Sequence, residues 1–152
     1  MGEKRALMPD PPAHVEAYLE LVRAHDSLSR DSQKFFQAHG ISEQQYNVLR
    51  ILYVRDGGGG IPCSAISARL LNRVPDITRL LDRLEKAGLV ARKRCPSDRR
   101  VVRAALTEAG HELVEMIHEP LVQHGETRMS VLSEDELRTL TELLGKLRVP
   151  AP

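Results

Sequence analysis

Aromatic residues are almost absent from this sequence. Its 152 residues include no tryptophan, three tyrosines and two phenylalanines. Proteins that bind single-stranded nucleic acid without reading its sequence stack successive bases on exposed aromatic rings. So few rings argue against a stacking platform of that kind.

Cysteine is also scarce. Cys63 and Cys95 lie far apart and form no C-x-x-C pair, so neither a zinc site nor a disulfide framework is indicated. No apolar run approaches the roughly 20 residues needed to cross a bilayer, and no signal-peptide pattern opens the chain. These features predict a cytoplasmic protein with no membrane partner.

Catalytic patterns are missing as well. No serine or cysteine stands at motif spacing from a histidine and a carboxylate, and no pair of carboxylates stands out. The glycine run 57–60 is not followed by the G-K-[ST] of a phosphate-binding loop. The sequence therefore predicts a protein that is not an enzyme and binds no cofactor.

The residues from Asn72 to Thr107 carry the clearest pattern. A helix is predicted over Val74–Ala87, with Pro75 in its first turn, because apolar residues recur there at helical spacing. Gly88 marks the end of that helix. Strands are predicted over 89–94 and 101–106, on either side of a turn. A helix followed by a hairpin with a basic tip is typical of a winged helix. The predicted buried stripe consists of Ile77, Leu80, Leu81 and Leu84.

Positive charge is concentrated in the same region. Between Arg69 and Arg103 there are eleven basic and four acidic residues. This segment therefore carries a charge of +7, and the rest of the chain carries −6. A basic patch on an acidic body is the charge distribution expected of a surface that faces duplex DNA.

The segments before the winged helix predict an arm, two helices and a loop. Residues 1–12 are polar and proline-rich, so we expect a disordered arm. A long helix is predicted over 13–39, and Ser42 with Gln45 forms a capping box for the next helix. The glycine run after Asp56 predicts a flexible loop. Ile61 is predicted as a short strand, and a third helix as starting at Pro62 and continuing through Leu70 and Leu71.

The segments after the winged helix predict two more helices. Thr107 is predicted to cap the first of them, and Pro120 is predicted to kink it. A capping box formed by Ser133 and Glu136 opens the last helix. Its apolar stripe, together with the other end helices, exceeds what one small core needs, which favours packing against a second copy. The stripe contains Leu137, Leu140, Leu144 and Leu147.

These elements predict a mainly α fold with a small β-wing. A winged helix-turn-helix lobe (about 42–106) would be joined to a helical dimerisation region formed by the chain ends (about 13–39 and 107–148). After the arm, residues 13–149 would form a single domain.

The assembled segments resemble the MarR family of bacterial transcription regulators. The similar stretches are I-S-A-R-L (66–70), I-T-R-L-L-D-R-L-E-K-A-G-L-V (77–90), D-R-R (98–100) and L-T-E-A-G (106–110). The resemblance implies a homodimer that binds a palindromic operator in double-stranded DNA. Recognition helices would enter successive major grooves, and wing tips would enter the flanking minor grooves.

The DNA-facing residues are predicted from the recognition helix and the wing. Arg79 is predicted to meet a guanine edge or a phosphate, and Thr78 a thymine methyl or a phosphate. Asp76 either accepts a hydrogen bond from a cytosine amine or serves as a carboxylate in the first helical turn, where the helix dipole favours negative charge. By resemblance, Arg100 reaches into the minor groove, and Asp98 holds its guanidinium. The remaining predicted DNA contacts are Arg73, Pro75 and Arg83 in the helix region, and Lys93 and Arg99 in the wing.

Sensing is less well specified by the sequence. By resemblance, a small-molecule effector would bind beside the dimerisation helices, with His25, Tyr46 and His111 as polar contacts. His111 also shares a helix face with Glu115 and His118, which is suitable for a metal, but a solvated face is the preferred interpretation. Both cysteines stand where a thiolate would be favoured.

We therefore expect a DNA-binding transcriptional regulator, acting as a repressor that a small ligand releases. The alternatives are a metal or redox sensor on the same scaffold and a winged-helix module that binds protein.

Overall fold

The computed structural model describes residues 10–70 and 76–148, in which six helices and three strands are formed. The chain divides into two compact units at Glu43. The bounds, in chain order, are α1 (Ala13–Ala38), α2 (Glu43–Arg55), β1 (Ile61–Pro62), α3 (Cys63–Ser67), α4 (Ile77–Lys86), β2 (Val90–Arg94), β3 (Val102–Leu106), α5 (Glu108–Met129) and α6 (Glu134–Leu147).

The first unit consists of the predicted long helix and the turn that follows it. Helix α1 buries Phe36 near its C-terminal end, and Ile41 is buried just beyond it. Its N-terminal two thirds instead leave a series of large apolar side chains exposed to solvent. These are Val15, Tyr18, Leu19, Leu21, Val22 and Leu28.

The second unit has a core built from the inner faces of its helices and sheet. Leu49 and Leu52 of α2, Leu84 of α4 and Ile117 of α5 are completely buried. The three strands are antiparallel in the order β1–β3–β2, so β3 lies at the centre. Ala104 of β3, whose small side chain is also buried, is paired with residues of both neighbouring strands.

The structure locates the start of one predicted helix and the end of another. The Asp76 side chain caps the recognition helix α4 by accepting the backbone N–H of Arg79, so the helix begins at Ile77. The predicted start at Val74 lies outside the described residues. Helix α3 ends at Ser67 rather than continuing through Leu70, and Leu71 also lies outside the described residues. The last turn of α3 tightens, since the N–H of Arg69 donates to a carbonyl only three residues earlier, that of Ile66.

The glycine run is also ordered differently from the prediction. One carboxylate oxygen of Asp56 accepts the backbone N–H groups of Gly58, Gly59 and Gly60, at 2.9, 3.1 and 2.8 Å. The segment is therefore a built turn rather than an unconstrained loop. Gly60 has a φ of 72°, and a Cβ there would lie 2.9 Å from the carbonyl oxygen of Ala104. The turn can thus approach β3 closely only with glycine at this position.

The predicted caps of the end helices are confirmed. The Thr107 hydroxyl accepts the N–H of Gly110 and donates to the carbonyl of Gly88 at 2.6 Å. Ser133 and Glu136 form the reciprocal capping box of α6. Helix α5 continues through Pro120 as one element. None of the helices described here has the length and apolar character that crossing a membrane requires.

The start of α5 packs directly on the turn that follows α4, and this packing requires glycine at residue 110. A Cβ on Gly110 would lie 2.2 Å from the carbonyl oxygen of Leu89, well inside contact distance. That oxygen cannot move freely, because it also accepts the N–H of Thr107 at 3.1 Å. The contact joins the turn after α4 to the start of α5 through the backbone of Leu89, with the side chain of Leu106 beside it.

We expect Gly110→Ala to destabilise the fold by about 1–3 kcal/mol, because the added methyl forces the backbone apart. Gly125→Ala is the matched control in the same helix, where an added Cβ meets nothing within 4 Å. Alanine favours a helix over glycine by up to about 1 kcal/mol, so this variant should be unchanged or more stable. Urea unfolding of both variants measures the difference, and equal stabilities would contradict the close packing at Gly110.

Candidate nucleic-acid interface

Helix α4 has one buried face and one exposed polar face. Leu80, Leu81 and Leu84 point into the core, as the stripe predicted, whereas Ile77 is only half-buried. The outward face presents three predicted DNA contacts with exposed side chains, which are Thr78, Arg79 and Arg83. A helix anchored by leucines in this way can offer its polar face to a groove without losing core contacts.

Asp76 uses both carboxylate oxygens within the protein. One oxygen accepts the backbone N–H of Arg79 at 3.0 Å, and the other lies 2.9 Å from Arg79 Nε. A carboxylate at this position is also favoured by the helix dipole. Asp76 is therefore the N-cap of α4, just before the first turn in which it was predicted, and it keeps the Arg79 guanidinium beside the N-terminal end of the helix.

The wing is a regular hairpin closed by a tight turn. The N–H of Cys95 donates to the carbonyl of Val101 at 2.8 Å, and the N–H of Val101 donates to the carbonyl of Asp98 at 3.0 Å. Lys93 and Arg99, both predicted contacts, are exposed on this hairpin.

The predicted role of Asp98 is corrected. Its carboxylate accepts the backbone N–H of Arg100 at 3.0 Å, rather than holding the Arg100 guanidinium. An aspartate that bonds to the backbone two residues ahead stabilises a turn. Asp98 therefore shapes the tip, and the exposed Arg100 side chain remains available to a ligand.

Arg92 connects the wing to the recognition helix, a role that the sequence did not reveal. Its Nε and Nη2 atoms donate to one oxygen of Glu85, at 2.9 and 2.6 Å, and Nη2 also pairs with Asp82. The other Glu85 oxygen accepts the backbone N–H of Arg92 at 3.2 Å. The only sequence signal was the pair of acids three residues apart in a basic segment.

This ion-pair network changes the ionisation of its members. The hydrogen bond from Arg92 is the main reason that the pKa of Glu85 lies below its usual range. The same bond raises the pKa of Arg92. Because a lowered carboxyl pKa stabilises the fold only while the group is ionised, the contribution of Glu85 is present at neutral pH and is lost as the pH falls through the lowered pKa.

A hollow of about 330 Å³ is lined by residues from the start of α3, from α4 and from the wing. It brings together Thr78 and Arg100, two predicted DNA contacts that are far apart in the sequence, with Ser64 also on its wall. The helix and the wing thus present one continuous surface. Arg73 and Pro75, also predicted contacts, lie outside the described residues.

The two cysteines differ from each other in their environments. Burial raises the pKa of the Cys63 thiol, which corrects the prediction that its position favours a thiolate. The Cys95 thiol lies 3.2 Å from the Ser97 hydroxyl. This contact is the largest cause that lowers the pKa of Cys95, in agreement with the prediction for that residue.

A second cavity, of about 350 Å³, lies between α2 and α5. Tyr46, predicted as an effector contact, forms part of its wall, together with Arg50, Tyr53, Glu115 and His118. Burial raises the pKa of Tyr46. The Tyr53 hydroxyl donates to Glu115 at 3.1 Å, and that bond raises the pKa of Tyr53.

The other two predicted effector residues are not on this wall. The His111 ring packs against the Tyr53 ring, with centroids 5.6 Å apart. His25 belongs to the first unit, where its Nε2 lies 3.5 Å from the Ser29 hydroxyl. The sequence missed Glu115 and His118 as wall residues of this cavity. Among residues 10–70 and 76–148, no three histidine, cysteine or acidic side chains cluster as metal ligands would.

Comparison with known proteins gives a consistent result. Residues 41–102 match the family model described as MarR family. The chain is 32% identical to the HTH-type transcriptional regulator MhqR of Bacillus subtilis (strain 168), over 90% of this chain and 92% of that protein.

Two solved structures are similar over most of the chain. One is a MarR transcription factor from Planctomyces limnophilus, at 40% identity and a TM-score of 0.69, covering 91% of this chain and 98% of that one. The other is MepR of S. aureus in complex with DNA, at 26% identity and a TM-score of 0.74, covering 86% and 94%. With the winged-helix geometry described above, these matches mean that the chain belongs to the MarR family of transcriptional regulators.

Proposed function

We propose that this protein binds duplex DNA through the outer face of α4 and the wing tip. The observation that carries the proposal is the continuous exposed surface on which Thr78 and Arg100 meet, held in shape by the ion pairs of Arg92. The relative MepR, which was solved with DNA, supports this use of the surface. The recognition helix would enter the major groove, and the wing would enter the adjacent minor groove.

The individual roles follow from side-chain chemistry. Arg79 is the candidate for reading a guanine edge, since its guanidinium offers two parallel donors. Thr78 suits a thymine methyl or a phosphate, and Arg73, Arg83, Lys93 and Arg99 suit phosphates. Arg100 suits a narrow minor groove, where the negative potential is strongest. Asp76, whose oxygens already bind Arg79, would orient that arginine rather than contact a base.

Arg79→Ala and Arg100→Ala should weaken DNA binding in different ways. Loss of Arg79 should cost about 1–3 kcal/mol per half-site and relax the preference at one base position. Loss of Arg100 should weaken binding to many sequences, most of all where A·T-rich flanks narrow the groove. Affinities for selected and random duplexes at several salt concentrations measure both effects.

Removal of Arg100 from both halves of a dimer should also lower the slope of log affinity against log salt by about 2 units. Arg138→Ala, at an exposed position of α6, serves as the control for lost positive charge. If the two interface variants bind as the wild type and the control do, DNA does not use this face.

The proposed regulator is a homodimer formed by the chain ends. Helix α6 buries none of its residues within the chain. Leu140, Leu144 and Leu147 remain 37%, 38% and 65% exposed, and α1 exposes a second apolar series. A second copy of the chain would cover these faces, and two recognition helices related by a two-fold axis would require a palindromic operator.

Leu140→Asp combined with Leu144→Asp should convert the dimer to a monomer, because four carboxylates would enter the apolar interface. Val131→Asp combined with Thr139→Asp is the control, since it adds the same charge at exposed positions away from the leucine stripe. Sedimentation equilibrium measures the assembly, and circular dichroism verifies the fold. A wild-type protein that is monomeric at micromolar concentration, or a stripe variant that stays dimeric, would exclude this interface.

The proposed mode of action is repression relieved by a small ligand. The cavity between α2 and α5 offers an apolar wall in Val54 and Val114, together with the polar groups of Tyr46, Arg50 and His118. This combination suits an aromatic acid, whose carboxylate would pair with Arg50. Such a ligand must prefer the conformation that does not bind DNA, because a ligand with equal affinity for both conformations would leave the equilibrium between them unchanged.

Aromatic acids should therefore weaken operator binding, and Arg50→Ala should reduce the sensitivity by about tenfold, because it removes a charge-assisted contact. Operator affinity is titrated against a panel of such acids, with Arg138→Ala again as the control for charge. A panel that never weakens operator binding would favour control by protein abundance. Equal sensitivity of Arg50→Ala and the control would place the ligand elsewhere.

A further inference from the structure

A second basic surface lies away from the outer face of α4, at the β1 edge of the sheet. A hollow of about 420 Å³ is lined there by Arg55, Arg69 and Arg103, together with the glycine turn. No aspartate or glutamate is among its lining residues. Three guanidinium groups thus border one cavity without an acidic neighbour on its wall.

An adjoining hollow extends the same surface. Its volume is about 240 Å³, and it shares Arg55 and Arg69 with the first hollow while adding Arg50. Again no carboxylate is part of the wall. Arg55 and Arg69 therefore lie between two cavities and are both exposed to solvent.

The charges of this surface are not neutralised by ion pairs. Within the described ranges, 10–70 and 76–148, neither Arg55 nor Arg69 pairs with a carboxylate. The acid next to Arg55 in the sequence is Asp56, and its Oδ1 accepts three N–H groups of the glycine turn. The turn is consequently closed to an outside anion, whereas the arginines remain open to one.

The arginines come from three different elements, and two of them are held in position. Arg103 of β3 donates from Nε to the carbonyl of Gly59 at 2.9 Å and from Nη2 to that of Gly60 at 2.7 Å. Arg69, just beyond α3, donates from Nη1 to the carbonyl of Ala65 at 2.8 Å. Arg55 belongs to the last turn of α2. Guanidinium groups fixed by their own hydrogen bonds lose little freedom when they bind an anion.

We propose that Arg55, Arg69 and Arg103 form a phosphate-binding site separate from the recognition surface. A phosphate carries several oxygens in a tetrahedral arrangement, so it can accept hydrogen bonds from three arginines that approach from different directions. A carboxylate is planar, and the two parallel donors of a single arginine already match it. The phosphate would come either from the backbone of DNA that flanks the operator or from a free phosphorylated compound. The first source rests on the proposed function, and the second does not.

The first arm of the test uses pyrophosphate and the full-length protein without DNA. Isothermal titration should give saturable binding for the wild type. Binding should be about tenfold weaker or more for Arg55→Gln combined with Arg69→Gln, because two charge-assisted contacts are lost. Arg103 is left intact, since it also holds the glycine turn. The control is Arg138→Gln combined with Lys146→Gln, which removes two exposed charges of α6 on the side away from the leucine stripe.

The second arm uses two duplexes, one limited to the selected operator and one extended on both flanks. If flanking phosphates occupy the site, the Arg55/Arg69 variant should lower the salt slope by about 2–4 units per dimer on the long duplex and leave it unchanged on the short one. The control variant should leave the slope unchanged on both duplexes. Circular dichroism and melting temperature verify that each variant is folded.

The outcomes separate this proposal from the proposed function. Weaker pyrophosphate binding by the variant with unchanged salt slopes identifies a free phosphorylated compound as the source, whereas a smaller salt slope on the long duplex identifies DNA. If the wild type binds no duplex, the proposed function fails, but the pyrophosphate arm still tests the site. The phosphate site is excluded if the Arg55/Arg69 variant and the control behave alike in both arms.

Discussion

The ion-pair network between Arg92 and the two acids of α4 is the interaction on which the proposed DNA-binding surface depends. A recognition helix and a wing can act together only if their relative position is fixed, and this network joins β2 directly to α4. Glu85 binds both the backbone and the side chain of Arg92, so the strand and the guanidinium are held by the same carboxylate. The side chain of Arg92 is 23% exposed, whereas those of Asp82 and Glu85 are 43% and 39% exposed, so solvent still partly screens these pairs.

The acidic residues of the basic segment 69–103 bind partners within the protein, as those of the Arg92 network do. All four of its carboxylates bind within the protein: Asp76 caps α4, Asp82 and Glu85 hold Arg92, and Asp98 shapes the wing turn. Arg92 itself is turned inward. The segment's acids are thus bound to internal partners, and its described cations, apart from Arg92 and Arg103, are exposed to solvent.

The apolar side chains fall into two groups, one buried in a core and one exposed on helix faces. In the second unit they fill the core beneath α4 and the sheet, where Leu84 and Ile66 are completely buried. Along α6 and most of α1 they stay exposed at helical spacing, although an exposed leucine stripe is costly in water. A chain with one satisfied core and two unsatisfied helix faces is suited to assembly with a second copy.

Much of this architecture was determined by local sequence. The leucine stripe of α4, the stop at Gly88, the cap at Thr107 and the capping box of Ser133 were all predicted correctly, because each depends on residues within about one helical turn. The winged-helix order and the exposure of Thr78, Arg79 and Arg83 followed from the same periodicity.

Other features were decided by the tertiary structure. Arg92 meets Asp82 and Glu85 only after β2 folds back on α4, and Arg103 reaches the carbonyl groups of Gly59 and Gly60 across more than forty residues. Tyr53 donates to Glu115 across 62 residues. The prediction named the wrong partner for Asp98 and the wrong direction of the pKa shift for Cys63. A short distance along the chain does not determine which atom a side chain contacts or how deeply it is buried. Periodicity determines which face of an element is apolar, whereas hydrogen-bond partners and burial depend on contacts between residues that are distant in the sequence.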